Sequence, residues 1–147
     1  MRSSKPLTFL IACFIGSHAH AVDWRQVGEP DGGSSKYLDV DSPRRTADGD
    51  VVAQVLFDYL RDQRTTAGLV YRSSIRVTRF DCAGERIADQ VMVYFSGPAA
   101  SGAVVSRVER SATEAKAALE ATDAQSTGKM LVYAACSVHE RGKPGSR

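Results

Sequence analysis

Three segments in the middle of the chain alternate between apolar and polar residues, and this pattern constrains the fold more than any other feature. Alternate positions of residues 51–59 are apolar: Val51, Ala53, Val55, Phe57 and Tyr59. In residues 69–80 one side carries Tyr71, Ile75 and Val77, and the other, predicted to be solvated, carries Arg72, Arg76 and Thr78. Residues 87–95 alternate in the same way. A period of two is typical of β-strands with one buried face, so the chain is predicted to form a sheet.

Short turn sequences join these segments. Asp48-Gly49, which carries the positive-φ signature of a hairpin turn, precedes the first segment, and Ala83-Gly84 turns the chain between the second and the third. Residues 61–68 are polar and are predicted to be a loop. Further strands are predicted at residues 36–40 and 103–108. Consecutive strands joined by short turns pair with antiparallel neighbours, so the pattern predicts a single antiparallel meander of about five or six strands.

The pattern changes after Arg110. Ser111 and Glu114 have the spacing of a capping box, in which each side chain accepts a hydrogen bond from the backbone N–H of the other residue. Good helix formers continue to Ala121, so a helix is predicted to begin here. Residues 129–137 are apolar enough for a last strand or a short helix, and the pattern alone does not decide between them.

The first 21 residues have the features of an export signal. Two basic residues precede a short apolar run, residues 7–16, and Ala19 and Ala21 are the small residues that a signal peptidase recognises. The run is too short to span a bilayer as a helix. Signal cleavage is therefore predicted after Ala21. A lipobox-like sequence at residues 10–13 leaves open an alternative in which Cys13 is acylated.

Cleavage after Ala21 changes the charge of the chain. Loss of Arg2 and Lys5 leaves 17 basic and 17 acidic residues in the mature domain, residues 22–147. A net charge near zero argues against a general nucleic-acid binder. The remaining 126 residues suffice for one domain with one hydrophobic core. They contain no apolar segment of the length that predicts a transmembrane helix.

Export also determines which cysteines remain in the mature chain and how they can pair. Removal of Cys13 leaves Cys82 and Cys136, and an oxidising compartment permits one intramolecular pairing between them. Free thiols and an intermolecular bridge are the alternatives. A zinc site is not supported, because two cysteines and the single mature histidine, His139, lack the spacing of a zinc cluster.

Several short motifs follow one another along the mature chain: Trp24, Tyr37-x-Asp39 with Asp41-Ser42, Asp58-Tyr59, Phe80-Asp81-Cys82, Tyr94-x-Ser96, Gly102 and Ala135-Cys136. In this order, over nearly all of the mature chain, they resemble the surface-adhesin protein E family of Gram-negative bacteria. The resemblance implies an α+β fold, in which a C-terminal helix packs on an antiparallel sheet and is tied to it by a disulfide. Cys82 then belongs to the sheet and Cys136 to the helix, which favours a helix for residues 129–137.

The same resemblance implies an exported, non-enzymatic binding module without a cofactor. Some members of the family are surface adhesins for host extracellular-matrix and plasma proteins. A soluble periplasmic protein of the same fold, without an adhesin role, is the main alternative. A small periplasmic hydrolase has little support, because His139 is predicted to lie in a C-terminal tail and no hydrolase motif is present.

Six arginines are the candidate ligand-facing residues: Arg44 and Arg45 at a turn, Arg61 and Arg64 in the predicted loop, and Arg72 and Arg76 on one strand face. If they converge, an acidic protein surface or an acidic polysaccharide is the expected partner. The alternative is that they lie on solvated faces, balanced by neighbouring acids such as Asp58 and Asp62. Open strand edges also make a homodimer a reasonable expectation.

Overall fold

The computed structural model describes residues 22–30, 32–123 and 126–141. They form eight strands and two helices: β1 (Trp24–Gln26), β2 (Ser34–Asp39), β3 (Arg44–Arg45), β4 (Val51–Arg64), β5 (Val70–Asp81), β6 (Arg86–Phe95), β7 (Val104–Glu109), α1 (Ala112–Ala117), β8 (Glu120–Ala121) and α2 (Thr127–Arg141). The predicted export signal and Cys13 lie outside the described residues. Neither helix is long and apolar enough to cross a membrane.

β4 and β5 form a long antiparallel hairpin at the centre of one sheet. Val51 pairs with Phe80, and Asp58 pairs with Ser73. β2 and β1 continue the sheet on the β4 side, β6 and β7 on the β5 side, and β3 and β8 pair with β4 and β6. The predicted antiparallel sheet is confirmed. Its strand count exceeds the prediction because β1, β3 and β8 have only two or three residues each, too few to show an alternation.

The predicted turn at Asp48-Gly49 joins β3 to β4. Gly49 has a φ of +93°, a value that side chains with a Cβ rarely adopt. The Thr46 N–H donates to the Asp50 carbonyl oxygen at 2.8 Å, and the Gly49 N–H donates to the Thr46 carbonyl oxygen at 3.1 Å. Glycine therefore permits the reversal from which the longest strand of the sheet begins.

The inner face of the sheet packs against α2. The buried core combines residues of both: Leu38, Val51, Ala53, Val55, Phe80, Leu131, Val132 and Ala135. The alternate residues of β4 predicted to share a face therefore supply its centre. Phe80 joins them because directly paired residues of adjacent strands point to the same face. Helix α2 includes residues 129–137, which confirms the helix favoured by the family resemblance.

A disulfide joins Cys82, just after β5, to Cys136 in α2, and their Cα atoms are 6.0 Å apart. The predicted pairing is confirmed. The same turn holds α2 through polar contacts: Tyr133 Oη donates to Glu85 Oε1 at 3.0 Å, and Lys129 Nζ lies 2.9 Å from Glu85 Oε2. Helix α2 is thus attached to the β5–β6 turn by one covalent and two polar contacts.

Helix α1 lies on the outer face of the sheet. The Ser111 N–H donates to Glu114 Oε2 at 2.8 Å and Ser111 Oγ accepts from the Glu114 N–H at 3.2 Å, which confirms the capping box. The Arg79 side chain contacts the carbonyl oxygen of Ala112 in α1. Consecutive strand residues point to opposite faces, so Arg79 points away from Phe80 and from α2. The two helices therefore cover opposite faces.

The loop predicted for residues 61–68 is wrong over its first half. Residues 61–64 continue β4, with Gln63 opposite Tyr71 and Arg64 opposite Val70, and the chain turns only at residues 65–69. These strand residues lie beyond the helix-covered core and need no apolar face. The alternation of apolar and polar residues from which strands are predicted is consequently absent from residues 61–64.

The predicted solvated face of β5 is also wrong. Arg76 pairs with Val55 and Thr78 pairs with Ala53, so both polar residues point to the inner face. Thr78 is buried, and its Oγ1 donates to Asp89 Oδ1 at 2.8 Å. The hydrogen bond to Asp89 of β6 thus allows the polar side chain of Thr78 to be buried.

Two boundaries near the C-terminus differ from the prediction. The helix that begins after Ser111 ends at Ala117, and residues 120–121 instead pair with Arg86 and Ile87 as β8. His139, predicted to lie in a tail, is within α2.

Candidate functional site

The six candidate arginines fall in separate parts of the sheet. Arg44 and Arg45 form β3 at the beginning of β4, whereas Arg61 and Arg64 lie at its far end. Arg61 lies ten positions after Val51 in the chain, which corresponds to about 33 Å of extended strand. Arg72 and Arg76 lie in β5. The arginines therefore do not form a single basic patch.

The far end of the β4–β5 hairpin extends beyond its neighbours. β2 pairs with β4 only as far as Tyr59, and β6 pairs with β5 only from Ser73 onward. We call the remaining part, residues 60–72, the arm. The Leu60 N–H donates to the Gly33 carbonyl oxygen at 2.8 Å and fixes its base. Beyond this bond the arm is a two-stranded ribbon without flanking strands in the described part of the chain.

The arm is basic. It contains Arg61, Arg64 and Arg72 against the single acid Asp62, a net charge of +2. Arg64 Nη1 donates to the Gly68 carbonyl oxygen at 3.1 Å, and Arg72 Nε donates to that of Tyr59 at 3.0 Å. The Arg61 side chain is exposed and has no hydrogen bond or ion pair to any residue in the described ranges; its carbonyl oxygen accepts a hydrogen bond from Gln63 Nε2 at 3.1 Å. Its guanidinium is the arm charge best placed to contact another molecule.

The arm also exposes apolar side chains. Leu60 is 70% exposed, and Leu69 and Val70 are exposed as well. Neither helix packs beneath these residues, so folding does not bury them. Exposed apolar side chains rimmed by polar residues are characteristic of interaction sites. Charge and apolar surface thus coincide on the same element.

Arg76 behaves differently from the arm arginines. Its guanidinium donates to Asp89 Oδ2 at 2.7 Å and to Tyr59 Oη at 3.0 Å, and it stacks 4.0 Å from the centroid of the Phe57 ring. Only 19% of the side chain is exposed. Arg76 is thus held within the fold at the base of the arm, and an external acid would have to compete with Asp89.

Tyr71 anchors the arm to the inner face. Its ring meets those of Tyr59 and Tyr94 edge to face, at centroid distances of 5.6 and 4.7 Å. Burial, followed by the neighbouring Tyr59, raises the pKa of Tyr71 to about 12. The sequence predicted Tyr71 on the face opposite Arg76. The register shift between Asp58 and Gln63 brings Tyr71 to the same side instead.

A loop covers the outer face at the base of the arm. The Ala99 N–H donates to Asp58 Oδ1 and the Ala100 N–H donates to Ser73 Oγ, both at 2.9 Å. Ala99 and Ala100 both have positive φ, a conformation that residues with a Cβ adopt at an energetic cost. Asp58, predicted as a possible counter-charge for the arginines, instead holds this loop in place.

Arg44 and Arg45 bind the backbone around them. Arg44 Nη1 donates to the carbonyl oxygens of Asp41 and Pro43, both at 2.8 Å, and Arg45 Nη1 donates to that of Gly49, also at 2.8 Å. Both side chains stay exposed, at the opposite end of β4 from the arm. They provide a natural comparison for the arm arginines.

A buried charge cluster that the sequence did not predict lies around Arg79. Its side chain is only 4% exposed; Nε donates to Asp50 Oδ2 at 2.6 Å and Nη2 donates to Asp48 Oδ1 at 2.6 Å. Lys116 of α1 also binds Asp48. Hydrogen bonds from Lys116 and then Thr46 hold the pKa of Asp48 well below its ordinary value of 3.8. No local pattern connects these residues, because only the strand register brings Arg79 beside the turn.

The described residues suit binding by charge and apolar contact. Within the ranges that the structure describes, no three acidic, histidine or cysteine side chains come together as metal ligands. On the arm, exposed Leu60, Leu69 and Val70 lie on the same element as the exposed guanidinium of Arg61. The fold and this site define a disulfide-bonded α+β domain that displays a basic hairpin.

The comparisons with known proteins agree with this architecture. The family model described as "Surface-adhesin protein E" matches residues 24–137. The chain therefore belongs to the surface-adhesin protein E family, and the resemblance found in its sequence is confirmed. The crystal structure of Haemophilus influenzae protein E, crystal form II, is similar, with a TM-score of 0.53, 12% sequence identity, and coverage of 78% of this chain and 94% of that one. This similarity shows a shared fold. No curated protein sequence matches the chain.

Proposed function

We propose that this protein is an exported, non-enzymatic surface adhesin that binds host extracellular-matrix or plasma proteins, and that the arm is its contact surface. Membership of the surface-adhesin protein E family supports the adhesin role. The observation that carries the assignment to the arm is the coincidence of Arg61, Arg64 and exposed Leu60 on a hairpin that projects beyond the sheet. Acidic surfaces of host proteins are the expected partners.

Binding through the arm has a specific electrostatic consequence. Arg61 and Arg64 are exposed, so their attraction to an acidic surface acts across water and is screened by salt. Each exposed ion pair contributes up to about 1 kcal/mol. Two such pairs at about 0.7 kcal/mol each change the dissociation constant by about tenfold.

The test measures binding of the purified protein to immobilised matrix and plasma proteins. The variant Arg61→Ala/Arg64→Ala is compared with Arg44→Ala/Arg45→Ala, which removes the same charge from the other end of β4. We expect about tenfold weaker binding for the arm variant and little change for the matched control. Equal losses in both variants would show a net-charge effect and refute the assignment to the arm. Binding to heparin alone would indicate an acidic polysaccharide as the partner.

The cellular location of the protein is part of the same proposal. We propose that cleavage after Ala21 releases the mature chain, with acylation of Cys13 as the competing possibility. The intact mass of the protein from its native host distinguishes a chain that begins at Val22 from one that begins at a lipid-modified Cys13. Cell fractionation then separates surface display from a periplasmic protein that keeps the fold without adhesion.

A further inference from the structure

The β4 edge of the arm is an open strand edge. β2 follows β4 only to Tyr59, and the last bond across this edge is that from the Leu60 N–H to the Gly33 carbonyl oxygen. Beyond it, Gln63 and Arg64 pair with Tyr71 and Val70 of β5 after the irregular stretch between Asp58 and Gln63, and residues 61–64 have no strand on the other side within the described part of the chain. Within the described part of the chain, the line of β2 therefore ends at the bond between Gly33 and Leu60.

Backbone groups on such an edge are available for strand addition. An unpaired edge presents a row of N–H and C=O groups that an extended peptide satisfies by main-chain hydrogen bonds, while side-chain contacts provide the selectivity. In the arm those side chains include Arg61 and Arg64 of β4 itself, with exposed Leu60 at the base. An acidic strand would place carboxylates opposite arginines, a favourable cross-strand pairing.

The charges of Arg61 and Arg64 determine which kind of chain can pair with the β4 edge of the arm. A second copy of this edge would bring Arg61 and Arg64 against the same arginines, and like charges directly opposite each other destabilise a strand pair. The carboxylates of an acidic chain would instead attract these arginines. Next to the β5 side of the arm, the loop at residues 97–101 contacts Ser73.

We propose that the arm binds its partner by strand addition: an extended acidic segment of a partner protein pairs with the backbone of residues 61–64 along the line of β2. This inference rests on the proposed function and specifies the form that the partner presents. Arg61 and Arg64 then neutralise the acids, and Leu60 packs against an apolar residue of the same segment.

The experiment uses a short synthetic peptide of glutamate and valine residues and the full chain. Hydrogen exchange of the backbone amides of residues 61–64 is measured with and without peptide, because added main-chain hydrogen bonds slow the exchange of the amides that form them. A peptide with every backbone N–H methylated keeps the charges but cannot donate. We expect slower exchange in residues 61–64 with the first peptide, and binding about tenfold weaker for the methylated peptide and for the variant Arg61→Ala/Arg64→Ala.

Two outcomes would overturn the inference. Equal binding of both peptides without protection of residues 61–64 would show contact through charge alone, which leaves the proposed function intact. Absence of peptide binding at low salt, where the attraction is strongest, would reject an acidic strand as the occupant. Host-protein binding by the unmodified protein is measured separately, so that failure of the adhesin proposal is distinguishable from failure of strand addition.

Discussion

Removal of the Cys82–Cys136 disulfide by the substitutions Cys82→Ala/Cys136→Ala should strongly destabilise the fold. The bond joins residues 54 positions apart and connects the end of β5 to α2. Without it, the unfolded chain gains the conformations that the closed loop excludes. For a loop of this length the chain-entropy model gives about 4 kcal/mol at 25 °C. This is a large part of the roughly 5–15 kcal/mol that stabilises a typical domain.

Urea denaturation followed by circular dichroism measures the effect. With a slope of about 2 kcal/mol per molar urea, a loss of about 4 kcal/mol lowers the transition midpoint by about 2 M. Reductant should lower the midpoint of the unmodified protein by a similar amount. It should leave the double variant unchanged, which serves as the control for other effects of the reductant.

A small shift would contradict this reasoning. Helix α2 also buries Leu131, Val132 and Ala135 against Phe80 on the inner face. If the midpoint falls by less than about 0.5 M, equivalent to about 1 kcal/mol, the packing of this core alone holds the helix and the unfolded chain is already compact without the bond. The entropic account would then be refuted for this protein.

Four other substitutions test the core, the buried charge cluster, the cap and the dependence of stability on pH. Phe80→Ala should lower the free energy of unfolding by about 3–5 kcal/mol, measured in urea, because the ring is fully buried between β4 and α2. Asp50→Ala leaves the buried Arg79 without one of its two carboxylate partners and should reduce stability by about 3 kcal/mol, whereas Ser111→Ala removes the cap of α1 and should reduce it by about 1 kcal/mol. The depressed pKa of Asp48 stabilises the fold above its ordinary value of 3.8, and this contribution is lost as the pH falls through the lower pKa of the folded state. The melting temperature should therefore decrease below about pH 4, and Asp48→Asn should make that decrease shallower.

The sequence predicted the parts of the fold that depend on local patterns. The alternation from Val51 to Tyr59 identified β4 because this strand has one face against the core and one away from it. Ser111 and Glu114 identified the beginning of α1 because a capping box is formed by residues three apart. Cys82 and Cys136 were predicted to pair because the predicted signal cleavage leaves no third cysteine in the mature chain. Each of these predictions needed only neighbouring residues or a count.

Predictions that depend on the register failed. Arg76 and Thr78 look solvated in sequence, but they point inward and bind Asp89, because the pairing with β4 fixes which side of β5 faces the core. Tyr71 changes side through one irregularity in the pairing with β4. The register shift has no local marker in composition or spacing. The polar contacts that stabilise the inner face are therefore determined by the sheet as a whole.

The arrangement also separates the stabilising contacts from the proposed binding surface along the length of β4. The core, the disulfide and both helices are associated with the half of the hairpin that contains Val51 and Phe80, whereas the arm lies at the other end and buries few side chains besides Tyr71. Surface substitutions away from caps, cores and buried charges change stability by about 0.5 kcal/mol or less. Changes at Arg61 and Arg64 are consequently expected to alter affinity without unfolding the domain.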